Sequence, residues 1–183
     1  MTFFGLFGLW ALSSATSSVQ DFLPCDTGRV IEYRWHEADG RGTKVVRTDR
    51  VLEYRKSLCF VERTTRDPDH AQSSDIFVRE YQHQRVLDAG WKGQLTAFRA
   101  PLLQGPLQQG RQWRFNRVQY RLHVWPQGVQ IPAGHYPDVI RVDVRSVIPG
   151  RYRAVRTYAR NIGLIEDRRP EGAWVAFSVT HAR

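Results

Sequence analysis

Two cysteines, six histidines and a run of arginines toward the C-terminus are the residues of this 183-residue chain with usable chemistry. Cys25 and Cys59 are the number that makes one disulfide. A nucleophilic thiol would need a C-x-x-C partner or a neighbouring base, and neither cysteine has one. Two buried free thiols remain the alternative. His36, His70, His83, His123, His135 and His181 form no H-x-H or H-x-x-x-H pair. The acidic cluster of Asp67, Asp69, His70 and Asp75 lacks a metal-ligand spacing and reads as a solvated turn. Glu166 and Asp167 are adjacent, so on a strand they point to opposite faces, poor geometry for acid/base cooperation. No G-x-S-x-G elbow, phosphate-binding P-loop or dinucleotide fingerprint occurs. The expectation is a non-enzymatic protein with no catalytic, cofactor-binding or metal-binding residue.

The arginines carry more information. Lys plus Arg number 27 against 18 Asp plus Glu, for a net charge of +9, and only Lys44, Lys56 and Lys92 are lysines. The excess is regional: residues 1–90 hold 12 basic and 13 acidic groups, residues 91–183 hold 15 and 5, so the halves carry −1 and +10. Such asymmetry points toward an anionic partner. With residues 148–151 as a hairpin loop, Val147 faces Tyr152 and Asp143 faces Arg156. Arg141, Arg145 and Arg156 then share an outward face around one carboxylate, and Arg151 and Arg153 extend it. The planar guanidinium fork binds carboxylate and phosphate bidentately. The competing reading is a solvated face whose arginine stems cover apolar surface.

The elements that must hold these residues are strands. Ile140, Val142 and Val144 alternate with Arg141, Asp143 and Arg145, and Val118, Tyr120, Leu122 and Val124 alternate with polar residues, the period of half-buried antiparallel strands. Further strands are expected near 29–36, 43–54, 57–64, 74–83, 94–99, 111–116, 151–159 and 173–180, separated by Gly, Pro, Asp and Asn turns. No long amphipathic helix is evident. The fold expected is all-β: an antiparallel curved sheet, half-barrel or barrel-like sandwich of about ten strands. Ahead of it, residues 1–18 lack any ionisable side chain and run from an apolar stretch, Phe3 to Leu12, into small residues, as a secretory signal peptide does. That leaves a single β-domain over 19–183, periplasmic or secreted, with no run of the roughly 18–20 apolar residues a spanning helix needs.

Within that domain Pro24, Gly28, Ile31 and Tyr33 recur at the spacing of Pro106, Gly110, Trp113 and Phe115, so 22–103 and 104–183 read as pseudo-repeated halves. Four runs stand in order: Phe22-Leu23-Pro24-x-x-x-Gly28; Pro101-Leu102-Leu103 through Pro106-Leu107-x-x-Gly110-x-x-Trp113; Ile131-Pro132-Ala133-Gly134-x-Tyr136; and Tyr158-Ala159-x-x-Ile162-Gly163-Leu164-Ile165-Glu166. Together they resemble the secreted or lipid-anchored β-domains of Gram-negative bacteria with PLxxGxxW, PAGxF and YYAxGVGLVxxE signatures. The resemblance implies an extracytoplasmic curved-sheet fold and carries no catalytic position. The chain departs from it in Cys25, in the absence of a lipobox and in Asn161.

The function expected is a scaffold that binds an acidic envelope protein, an anionic glycan or lipid head groups through its Arg-rich C-terminal half. Nucleic acid is not expected, because no nucleic-acid fold signature is present. The alternatives are a carrier of a small apolar ligand in a lipocalin-like cavity, and a structural subunit of an envelope complex.

Overall fold

A computed structural model describes residues 17–39, 42–67, 70–149, 151 and 153–181. The signal-peptide reading therefore falls, as far as residue 16, outside the described residues. Among the described residues a 3-10 helix, Val19–Phe22, is followed by fourteen strands. In the first half these are β1 (Arg29–Glu37), β2 (Gly42–Arg55), β3 (Leu58–Asp67), β4 (His70–Gln82), β5 (Arg85–Trp91) and β6 (Leu95–Gln104). The second half holds β7 (Gln112–Phe115), β8 (Val118–Trp125), β9 (Val129–Ile131), β10 (Gly134–Tyr136), β11 (Val139–Ser146), β12 (Arg153–Ala159), β13 (Gly163–Arg169) and β14 (Gly172–His181).

Twelve strands form one antiparallel sheet in the order β6-β5-β4-β3-β2-β1-β14-β13-β12-β11-β8-β7, curled into a nearly closed barrel; β9 and β10 form a separate hairpin. The all-β, curved-sheet expectation holds. The order shows two six-stranded meanders, β1 to β6 and β7 to β14, joined where β1 pairs with β14. Each meander opens on the same device. Gly28 and Gly110 take φ of 86° and 80°, a conformation that glycine adopts freely. Their N–H groups donate to Val51 O and Leu122 O, each at 2.9 Å, on the second strand of each meander.

Four strands escape the period-two reading: β5, β9, β10 and β13. β9 and β10 have three residues each, too few to show a period. β5 contains Asp88 and Gly90 in mid-strand, and β13 reads Glu-Asp-Arg-Arg after Ile165. Charge masks these two, because their inward acids are paired rather than replaced by apolar residues.

The lumen is filled by alternate residues of the wall. Val51, Val61, Val86, Leu103, Leu122, Ile140, Val142 and Tyr158 form the main core, against which Val19, Phe22 and Leu23 pack as an inner plug. Ser18 caps that helix through its side chain, with Asp21 returning the bond to the Ser18 N–H. The plug is pinned to the wall at three points. Buried Arg29 donates to Asn161 O at 3.1 Å and Pro24 O at 2.5 Å. The Tyr81 hydroxyl donates to Leu23 O. Cys25, just past the helix, is bonded to the fully buried Cys59 of β3, so the expected disulfide is present.

The two cysteines are 34 residues apart in sequence, a loop whose closure contributes about 4 kcal/mol by chain entropy. Replacing both by serine should therefore lower the thermal midpoint by roughly 8–16 °C, read by circular dichroism. An unchanged midpoint would show that the plug is held without it.

Candidate functional site

The outward arginines lie on the lattice formed by β7, β8, β11, β12 and β13. On β11, Arg141, Asp143 and Arg145 alternate with buried Ile140, Val142 and Val144. Across the sheet Arg145 stands directly opposite Arg153 on β12 and Gln119 on β8, while Asp143 stands opposite Arg121 and Val155. Arg168 is paired with Val155 and Arg114 with Gln119, which extends the same face. Six arginines thus share one outer face with two carboxylates, Asp143 and Glu166, for a net charge of +4. Asp143 is divided between His123 at 3.3 Å and Arg145 at 3.7 Å. Glu166 is bound by Arg168 at 2.7 Å and by the Thr157 hydroxyl at 3.2 Å. Arg141 lies over the Trp125 ring, 4.0 Å from its centroid, a cation–π contact that fixes the head group flat on the sheet. Arg151 is exposed in the hairpin loop.

Arg156 is not on this face. The hairpin register pairs Arg145 with Arg153 and Val142 with Arg156, one residue away from the register that the loop at 148–151 implies. A one-residue slip moves every side chain to the other side of the sheet. The observed register turns Ala154 and Tyr158 into the core and leaves Arg153 and Val155 outside. Arg156 goes inward with them, 4.0 Å from Asp167 on β13.

It joins an interior cluster that sequence reasoning did not anticipate. Asp49, on β2, is the hub: the Arg63 fork donates to its two oxygens at 2.9 and 3.0 Å, and Arg47 Nε lies at 3.4 Å. Burial pushes the Asp49 carboxyl up. Arg47, the hydrogen bond and charge of Arg63, and the charge of Arg79 outweigh it and hold the carboxyl below its usual value. Asp88, opposite Arg79 on the β4–β5 ladder, is pushed up by burial despite three nearby arginines. Arg47 is packed 4.1 Å from the Tyr33 ring centroid and 5.3 Å from that of Trp174. The available signal was a shared parity: Arg47 and Asp49 alternate with Val51 on one face of β2, and Arg63 stands two and four residues from Val61 and Cys59.

Asp67 pairs with His70 across the β3–β4 hairpin and Asp75 stands opposite Arg63, while Asp69 lies outside the described residues.

Buried tyrosines surround the cluster. Burial pushes Tyr33 up to about 12, and Tyr81 and Tyr158 upward as well. A raised folded-state value means stability that is complete below the unfolded value near 10 and lost as pH rises toward 12. The urea midpoint should therefore hold to about pH 10 and fall steeply above it, Tyr33 alone accounting for about 2–3 kcal/mol by pH 12. Tyr33→Phe should flatten that fall; an equally steep fall in the variant would contradict the assignment. Comparisons with protein-family models, curated proteins and solved structures find no match, so the functional reading rests on this geometry.

Proposed function

We propose that the protein is a non-enzymatic binding module of an oxidising extracytoplasmic compartment, periplasmic or secreted, whose outer arginine face docks on an anionic partner. The observation that carries this reading is the direct pairing of Arg145 with Arg153, on a face with six arginines and two carboxylates. Like charges directly opposite on neighbouring strands destabilise a sheet. An anion bridging the two guanidinium groups removes that repulsion and adds charge-assisted hydrogen bonds. The lattice beneath is rigid, with rows about 4.8 Å apart and same-face neighbours roughly 6.7 Å apart along a strand. That spacing presents several forks at once to carboxylate or phosphate groups on an acidic protein, a glycan or lipid head groups. The disulfide supports the compartment. An apolar-ligand carrier finds less support, because guanidinium groups line the interior cavity.

The test is capture of the mature domain on polyglutamate, a polyuronate and phosphatidylglycerol vesicles. Binding to one of them should weaken steeply between about 50 and 500 mM salt, as the Debye length falls to a few ångströms. The pair Arg145→Glu and Arg153→Glu should reduce it at least tenfold while leaving the thermal midpoint in place. Binding that ignores both salt and charge reversal would refute the proposal.

A further inference from the structure

A second site lies inside the barrel, independent of the outer face. A cavity of about 150 Å³ is lined by Arg47, Arg63, Arg79, Arg156 and Arg169. Three carboxylates share the cluster, Asp49, Asp88 and Asp167, so five cations less three anions leaves +2. Two of the arginines have donors to spare. Arg47 Nη2 and Arg79 Nε are buried and make no hydrogen bond, on residues only 5% and 7% exposed. A buried donor without an acceptor costs about 1–3 kcal/mol, more on a charged group. The neighbouring carboxylates are only partly used up: Asp49 receives the Arg63 fork, while Asp167 accepts from Arg169 at 3.0 Å on Oδ2 and leaves Oδ1 buried without a hydrogen bond, so donors and an acceptor both stand open. Apolar side chains share the lining, Leu23, Leu102 and Leu164 together with Phe77, whose ring lies beneath Arg63 and Arg79 at 5.1 and 5.6 Å from its centroid.

We propose that this cavity binds a small organic monocarboxylate, its carboxylate on Arg47 and Arg79 and its hydrocarbon part against Leu23, Leu102 and Leu164. The volume sits below the roughly 300–1,000 Å³ of a drug-sized pocket, so the guest is a short-chain or single-ring acid rather than a lipid. A monocarboxylate takes up one of the two excess charges and leaves its hydrocarbon part for the apolar residues of the lining. The second charge of a phosphate dianion would meet Asp88 and Asp167, and inorganic phosphate has nothing to place on those apolar residues.

Isothermal titration of the folded, disulfide-bonded protein with butyrate, benzoate and inorganic phosphate at fixed ionic strength tests this. One of the two carboxylates should bind saturably, with phosphate at least tenfold weaker. Arg79→Gln should weaken that binding at least tenfold, and Arg79→Lys, which keeps the charge without the planar fork, should weaken it too. Arg145→Glu on the outer face should leave it unchanged, which separates failure here from failure of the docking reading. No saturable heat for either carboxylate up to about 10 mM, phosphate as the preferred ligand, or loss of binding on Arg145→Glu would overturn the proposal. The wild-type titration decides even if an Arg79 variant does not fold.

Discussion

Placing an arginine inside a barrel is expensive unless something receives its charge. Asp49 does this for the interior here, holding the Arg63 fork on both oxygens with Arg47 alongside. Removing one partner of such a buried pair costs about 3–5 kcal/mol, because the other charge is left uncompensated. The lumen is therefore built in two kinds of surface. Around the plug it is filled with Val, Leu, Ile and Tyr side chains; elsewhere it is held by paired charge and by aromatic rings stacked on guanidinium planes. A wholly apolar lumen would have needed more plug. The charged portion instead leaves a small cavity with spare donors.

The same residue type thus has two roles separated by one strand thickness. Arginines on the inner face, Arg47 and Arg79 buried and Arg63, Arg156 and Arg169 half-buried, gather around Asp49, Asp88 and Asp167. Arginines on the outer face outnumber their acids, and Arg145 faces Arg153 with only Asp143, already shared with His123, beside them. What assigns an arginine to one role or the other is strand register alone. Arg153 and Arg156 lie three residues apart on β12 and fall on opposite sides.

Much of the architecture was legible because period-two alternation survives wherever one face is apolar, as on β8 and β11. It failed on β13, where inward Asp167 and Arg169 take the place of apolar residues, and on the short β9 and β10. The disulfide followed from a count of two cysteines. The outer face was legible in part: Arg141 and Arg145 stand where the alternation of β11 puts them, while β12 is turned over, with Arg153 outward and Arg156 inward, because the connection between β11 and β12 shifts the pairing by one residue. Val147 N–H donates to Arg117 O at 2.8 Å, on a different turn, instead of continuing the hairpin ladder. The interior cluster was invisible for another reason. Its members come from β2, β3, β4, β5, β12 and β13, and no local spacing reveals that six strands bring them together.

The division of arginines between lumen and surface is the central claim, and exchange of the guanidinium Nε protons with solvent, followed residue by residue by nuclear magnetic resonance, tests it most directly. Arg47, Arg63, Arg79 and Arg156 should exchange far more slowly than Arg121, Arg145 and Arg153. Arg156 exchanging as fast as Arg145, or all seven exchanging alike, would contradict both the register of the β11–β12 hairpin and the paired interior.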